Sequence, residues 1–146
     1  MTRLRHCLTL LVLLALLLLP GPVMAAGDPE AGDLPRLFDR ALSLSRQGDP
    51  EAALPLWNEV LELAPRDAAA WSNRGNIRLM LGDPEGAIAD QTRSIALAPE
   101  DADPHLNRGT AEEALQRWPE AAADYDWILQ RDPLDASALY NLGNVR

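Results

Sequence analysis

The chain has 146 residues and carries 13 arginines, no lysine and 22 acidic residues, for a formal net charge of −9 at pH 7. A negative field of this size repels phosphate backbones and disfavours a nucleic-acid-binding role. Cys7 is the only cysteine and His6 and His105 the only histidines, which excludes a disulfide framework and a Cys/His zinc cage built from one chain. No metal or other cofactor is implied.

The first 25 residues are typical of a secretory signal peptide. Arg3 and Arg5 form a basic head, residues 7–19 are a leucine-rich apolar run, and small residues around Ala25 suit a signal peptidase. A membrane span needs about 20 apolar residues, so the run is short for one; an uncleaved membrane anchor is the alternative. The sequence therefore predicts an exported chain in which residues 26–33 link the signal to the folded part.

The rest of the chain repeats itself every 34 residues. Proline, glycine, asparagine and alanine all recur at this spacing, and coincidence does not explain that for so many residue types. The landmarks are Pro65, Pro99 and Pro133; Gly75, Gly109 and Gly143; Asn73, Asn107 and Asn141; and Ala53, Ala87 and Ala121. They divide the chain into three copies and the start of a fourth, at residues 34–67, 68–101, 102–135 and 136–146.

Each copy is predicted to form two helices joined by a tight turn. An aspartate before each first helix can accept the free amides of the first turn, which makes Asp67, Asp101 and Asp135 the expected N-caps. Gly-Asp-Pro-Glu at residues 48–51 and 82–85 ends one helix and starts the next, because glycine permits the turn, aspartate caps and proline fits the first turn. The third copy has neither glycine nor aspartate at this turn.

These landmarks resemble the tetratricopeptide repeat, which has the pattern W-x2-L-G-x2-Y, A-x3-F and P in 34 residues. The second copy supplies Trp71, Gly75, Ala87 and Pro99, the third Gly109, Ala121, Tyr125 and Pro133, and the first Leu37, Ala41, Ala53, Trp57 and Pro65. The resemblance implies an all-α fold, a right-handed superhelical stack of antiparallel helix pairs with three full repeats and the first helix of a fourth. Arg74, Arg108 and Gln91 stand where the family prefers apolar side chains, so two packing layers are expected to be more polar than usual.

In this family the first helices line a concave groove that takes a peptide or a helix of another protein. Helical spacing places on or beside that face Phe38, Leu42, Ser72, Asn73, Asn76, Met80, Leu106, Asn107, Thr110, Tyr140, Asn141 and Asn144. An asparagine offers both a donor and an acceptor, so one per repeat can hold successive peptide units of an extended chain. The alternative is a structural role, in which the asparagines bond neighbouring helices or position turns.

Some family members hold the carboxylate end of a peptide with Lys and Arg placed around two asparagines. Asn76 and Asn107 match the asparagine part, but Ser72, Ser137 and Asn141 stand where the cations belong. We therefore expect a protein partner, but not one with an acidic peptide tail.

A catalytic role is the second class of function to weigh. The carboxylate pairs Glu112 with Glu113 and Asp124 with Asp126 resemble an acid and a base, yet neighbouring residues on a helix point in different directions. His105 takes the place of a core tryptophan and is expected in the core. Because no nucleophile and base pair, glycine-rich phosphate loop or metalloprotease pattern is present, we predict no enzyme activity.

The sequence stops one helix into the fourth copy, where Leu139, Tyr140, Leu142 and Val145 give that helix an apolar outer face. This favours a longer protein, with a catalytic or membrane part outside this chain, or a partner that covers this end. Self-association by end-to-end stacking is a further alternative.

The leader and the Asn-Arg-Gly-Asn string at residues 73–76 resemble exported repeat proteins of photosynthetic bacteria and chloroplasts. That resemblance implies a location in the periplasm or thylakoid lumen. It also implies a role in the assembly of membrane complexes.

Overall fold

Seven helices make up the part of the chain that the computed structural model describes, which is the backbone of residues 29–146 and the side chains from residue 34 onward. They are α1 (Pro29–Gln47), α2 (Pro50–Leu63), α3 (Ala68–Met80), α4 (Pro84–Leu97), α5 (Asp103–Ala114), α6 (Trp118–Leu129) and α7 (Ala136–Val145). The all-α prediction is confirmed. The predicted signal peptide lies outside the described residues. Among the seven helices, none combines the length and apolar character that a membrane span requires.

Helix α1 begins earlier than the repeat pattern indicated. It starts at Pro29, within the predicted linker 26–33, and contains Pro35. Pro29 is tolerated because the amide that it lacks has no partner in the first turn, whereas Pro35 lies inside the helix and removes one backbone hydrogen bond. The helix extends through residues 29–33 of the predicted linker.

The helices pair within each repeat, and the repeats stack. Within repeats 2 and 3, α3 packs against α4 and α5 packs against α6. Successive repeats are joined where α2 contacts α3, where α4 contacts α5 and where α6 contacts α7. The first helices α3, α5 and α7 also contact one another in sequence order. Within the described part of the chain, the second helices α2, α4 and α6 make no such contacts with each other. The first helices therefore form the inner layer of the stack.

A left-handed residue closes the turn between the two helices of every repeat. Gly48 has φ +73° and Gly82 has φ +80°, a region that glycine adopts without steric cost. In the third repeat Gln116 takes this conformation, with φ +58°. A side chain there costs roughly 1–2 kcal/mol, so the third turn keeps the shape of the others with less favourable local chemistry.

The predicted N-caps are correct in two repeats and wrong in one. Asp67 and Asp135 each accept a hydrogen bond from the amide three residues later. Asp101 does not cap in this way, because the residue three positions later is Pro104, which has no N–H. Its Oδ1 instead accepts from the Asp103 amide at 3.1 Å, and α5 begins at Asp103.

Two apolar clusters form the core, and a polar layer lies between them. The first cluster, in repeat 1 and the start of repeat 2, consists of Ala41, Ala53, Trp57, Val60, Leu61, Ala70 and Ile77. The second, in repeat 3 and α7, consists of Ala121, Tyr125, Ile128, Ala138 and Leu142. Helix α4 lies between them in the stack and buries Ala87, Asp90, Gln91 and Ser94. The predicted polar character of the middle of the stack is therefore present in α4.

Candidate functional site

A polar pocket lies on the inner layer between α3 and α5. It has a volume of about 340 Å³ and is lined by Ala69, Ser72, Asn73, Asn76, Asp101, Asp103 and Asn107. Four of the predicted groove residues, Ser72, Asn73, Asn76 and Asn107, therefore meet at one place, which is the α3–α5 pocket. Two successive repeats contribute to it.

Hydrogen bonds from the helix behind the pocket hold part of its lining. Gln91 on α4 is buried, and its Nε2 donates to Asn76 Oδ1 at 2.9 Å and to the Ser72 carbonyl oxygen at 3.0 Å. Across the pocket, Asn107 Nδ2 lies 3.5 Å from Ser72 Oγ. Gln91 uses one of the two lone pairs of Asn76 Oδ1, and the Nδ2 of Asn76 has no acceptor among the described residues, so Nδ2 is the main part of that amide left for a ligand.

The charge of the pocket is negative. Asp101 and Asp103 are exposed side chains of its lining, which contains no arginine. Neither carboxylate forms an ion pair with any residue that the structure describes. The site therefore combines amide groups with two uncompensated carboxylates.

The other predicted groove residues lie outside this pocket. Phe38 and Leu42 pack against the first apolar cluster, and the Phe38 ring meets Trp57 edge-on with centroids 5.0 Å apart. Leu106 packs against the second cluster, and the exposed Thr110 donates its hydroxyl to the Leu106 carbonyl. Met80, Tyr140 and Asn144 are exposed, and Asn141 is partly buried. Phe38, Leu42 and Leu106 thus contribute to the core, which the helical spacing did not distinguish from the groove face.

Two arginine–aspartate pairs that sequence reasoning missed join the helices of repeats 2 and 3. Arg74 forms two bonds of 2.8 Å with Asp90, and Arg108 repeats the contact with Asp124 at 2.8 and 2.7 Å. Each arginine also donates to a polar side chain on the second helix of the preceding repeat. The hydrogen bond with Asp124 raises the pKa of Arg108, so the guanidinium stays charged. A signal existed, since both arginines and both aspartates recur at the 34-residue spacing.

The candidate catalytic residues have structural partners. His105 is buried, with Nδ1 2.8 Å from Asp124 Oδ1 and its ring stacked on Trp127 at 3.7 Å, so its predicted place in the core is confirmed. The other candidate acids are paired as Glu112 with Arg117, Glu113 with Tyr125 and Asp126 with Arg146. The arrangement gives these carboxylates structural roles in and around the stack.

Helix α7 exposes fewer apolar side chains than the sequence predicted. Leu142 is buried in the second cluster and Val145 packs against it. Leu139 and Tyr140 are exposed, at 48% and 72%. Of these four residues, only Leu139 and Tyr140 therefore lie on the surface that a partner or a second copy would meet.

The stacked helix pairs and the pocket on their inner layer define a helical-repeat protein. The sequence model of the tetratricopeptide repeat family matches residues 38–102 and 106–146, and this chain belongs to that family. The resemblance of the sequence to the tetratricopeptide repeat is confirmed. A search of curated proteins finds no match.

Solved structures similar to this chain are themselves tetratricopeptide repeat (TPR) domains. The Arabidopsis OM64 TPR domain superposes with a TM-score of 0.76 at 24% identity, covering 80% of this chain and 97% of that one. The second TPR domain of human RPAP3, in complex with the HSP70 peptide SGPTIEEVD, gives 0.74 at 23% identity over 80% and 97%. The first TPR of Spaghetti (RPAP3), bound to the HSP90 peptide SRMEEVD, gives 0.74 at 23% identity over 78% and 90%. At these identities the likeness establishes the fold.

Proposed function

We propose that this chain is a non-catalytic interaction module that binds an extended segment of another protein in the α3–α5 pocket. One observation carries the proposal. Ser72, Asn73, Asn76 and Asn107 converge on one concave surface of the inner layer. Amides and a hydroxyl gathered in a concavity are suited to a ligand rich in hydrogen-bonding groups.

The backbone of an extended peptide is such a ligand. Each peptide unit presents one N–H donor and one carbonyl acceptor, and an asparagine side chain matches both. Asn73 and Asn107 are equivalent residues of successive repeats, so the stack spaces its amides along the inner layer. Contacts of this kind give affinity for the main chain with little dependence on its sequence.

Two of the similar structures, the second TPR domain of human RPAP3 and the first TPR of Spaghetti, hold chaperone peptides. The shared fold supports the same class of ligand for this chain. The charge does not support the same peptides, because SGPTIEEVD and SRMEEVD end in acidic residues and the α3–α5 pocket presents Asp101 and Asp103. An acidic tail would be repelled here.

The experiment is a selection of linear peptides from a displayed random library on the purified chain, followed by affinity measurement. We expect the double variant Asn76→Ala, Asn107→Ala to weaken binding of the selected peptides about tenfold or more, since each lost hydrogen bond contributes about 0.5–1.5 kcal/mol. The matched control is Gln47→Ala with Gln130→Ala, which removes two exposed amides away from the pocket. Unchanged affinity in the pocket variant contradicts the proposal.

Because Asn76 accepts from Gln91, its loss also disturbs the fold. The pair Asn73→Ala, Asn107→Ala avoids this, since neither side chain bonds to α4 in the described structure. Thermal unfolding of all variants by circular dichroism separates lost binding from lost structure.

We also propose that the chain is exported to a periplasm or thylakoid lumen and helps to assemble membrane complexes. The basic head, the apolar run at residues 7–19 and the string at residues 73–76 support this. N-terminal sequencing of the protein from its source is expected to give a start near Ala26. A start at Met1 contradicts cleavage and favours the membrane anchor.

A further inference from the structure

We propose that the α3–α5 pocket selects a basic side chain, lysine or arginine, in the segment that it binds. The inference rests on the proposed function, because it names the charge of that function's ligand. Its observations are different: they concern the carboxylates of the pocket rather than its amides.

The local charge of the α3–α5 pocket is negative. Asp101 and Asp103 give the pocket two formal negative charges and its lining has no cation. Asp103 is also the first residue of α5, whose amino-terminal end contributes roughly half a positive charge. The sum remains negative, so a cation entering the pocket is attracted and an anion is repelled.

The nearby arginines do not offset this charge. Arg74 is turned toward α4, where it is bound to the buried Asp90, and Arg78 contacts the same carboxylate at 3.0 Å. Arg108 is bound to Asp124 in the next repeat. Arg74, Arg78 and Arg108 therefore neutralise buried carboxylates within the helix pairs, and no arginine belongs to the lining of the pocket.

The pocket offers a geometry for a basic side chain. Asp101 uses Oδ1 to accept from the Asp103 amide and leaves Oδ2 for a ligand. The side chain of Asp103 has no partner among the described residues, so both of its oxygens are left. Guanidinium and ammonium groups are the natural donors to such oxygens. The asparagines bind the main chain of the same segment, and the two aspartates bind its side chain.

The test uses peptides from the random library, N-terminally acetylated so that the only cations are side chains. We expect Lys and Arg to be enriched over Asp and Glu in the selected pool. For the strongest peptide, Asp101→Asn and Asp103→Asn should each raise the Kd about two- to fivefold, in line with exposed ion pairs. Asparagine keeps the Oδ1 that bonds the Asp103 amide, so the fold is preserved. Raising the salt from about 50 mM to about 500 mM should reduce the effect.

Two controls separate a local site from the overall negative charge. Glu62→Gln removes an exposed carboxylate on α2, outside the pocket, and is expected to leave the Kd unchanged. Changing the peptide's basic residue to Gln should weaken binding to the wild type but not to the Asp101→Asn, Asp103→Asn variant. Equal losses in both proteins overturn the inference.

The outcomes distinguish the two proposals. Peptides that require Asn76 and Asn107 but are neutral or acidic, or that ignore both aspartates, overturn the basic-ligand inference and leave the groove function standing. A selection that yields no peptide dependent on the asparagines overturns both. Basic peptides that require both sets of residues support both.

Discussion

The second helices of repeats 1 and 2 take equivalent places in the stack but bury side chains of opposite character. At the 34-residue spacing, Trp57 of α2 corresponds to Gln91 of α4, and Val60 corresponds to Ser94. All four are buried. Leu56 of α2 likewise corresponds to the buried Asp90. Repeat 1 is therefore joined by apolar packing and repeat 2 by hydrogen bonds and charge.

The difference indicates that repeat 1 mainly stabilises the stack, whereas the polar side chains of α4 mainly orient the pocket. A buried large apolar side chain contributes about 1.5–3 kcal/mol, against about 1 kcal/mol for a typical hydrogen bond. Repeat 1 therefore supplies more of the stability. The hydrogen bonds of α4 have another effect, because Gln91 fixes Asn76 and the Ser72 carbonyl, and Ser94 Oγ donates to the Ala68 carbonyl at 2.8 Å. The polar layer orients the helix that carries half of the α3–α5 pocket.

The largest expected effect comes from breaking the charge pair of the polar layer. Asp90→Ala leaves the partly buried Arg74 and Arg78 without the carboxylate that they share, and it should lower the free energy of unfolding by about 3–5 kcal/mol in denaturant titrations. The double variant Arg74→Leu, Asp90→Leu replaces the Arg74–Asp90 pair by apolar side chains and should recover much of this loss, because only the more exposed Arg78 then lacks the carboxylate. A double variant as unstable as the single one contradicts this view of the layer.

The next largest effect is expected at Gly109, which faces the ring of Tyr125, and Gly143 is its control. A Cβ on Gly109 would lie 2.6 Å from the Tyr125 ring, whereas one on Gly143 would meet nothing within 4 Å. Gly109→Ala should cost about 1–3 kcal/mol by overpacking. Gly143→Ala should be neutral or stabilise by up to about 1 kcal/mol through helix propensity. Equal thermal shifts in the two variants would show that the ring is not fixed as described.

Tyr125 stands where repeat 2 has Gln91 and makes repeat 3 sensitive to alkali. Burial, and secondly its contact with Glu113, raise the pKa of Tyr125 above the ordinary 10.0. The unfolded chain loses this proton above pH 10 while the folded chain keeps it, so stability present below pH 10 is lost as the pH rises. The slope should be about 1.4 kcal/mol per pH unit and should disappear in Tyr125→Phe. Parallel pH profiles of wild type and variant exclude this origin.

Gln91 itself links stability to binding. Its Oε1 is buried without a partner in the described structure, so Gln91→Leu removes an unsatisfied group and adds apolar burial. Because the two hydrogen bonds that Gln91 Nε2 donates are lost as well, we expect a net change of less than about 1 kcal/mol in the free energy of unfolding. Binding of selected peptides should weaken at the same time, because Asn76 loses the bond that orients it. A folded variant with unchanged affinity would show that the polar layer does not orient the pocket.

The smallest effect concerns the caps of the first helices. Asp67→Ala removes a side-chain cap and should cost about 1 kcal/mol. Asp101→Ala removes only a bond to the Asp103 amide outside a capping geometry and should cost less. Urea unfolding of the pair measures the difference, and a larger loss at Asp101 contradicts the role given to Pro104.

The repeat architecture was predictable because its determinants are local and periodic. The left-handed glycines, the Asp67 and Asp135 caps and the small residues at helix crossings each act within a few residues or recur at 34. The failure at Asp101 is also local in origin. A capping rule based on the aspartate alone does not consider whether the residue three positions later, Pro104, can donate.

The site was only partly predictable, because it depends on which side chains face each other across helices. Helical spacing grouped Asn76 and Asn107 correctly on one side, yet it also included Phe38, which packs into the core. Arg74 was recognised as a departure from the family pattern, but its partner Asp90 lies 16 residues away and is identified only when α3 and α4 are brought together. Periodicity identifies equivalent residues; packing decides their partners.

The most direct test of the account follows the side-chain amides of Asn76 and Asn107 by ¹⁵N NMR during titration with a selected peptide. The account predicts that both amide signals shift with the same Kd, together with backbone amides of α3 and α5. Shifts confined to α7 or to the outer faces of the second helices, with both asparagine signals unmoved, would contradict binding in the α3–α5 pocket.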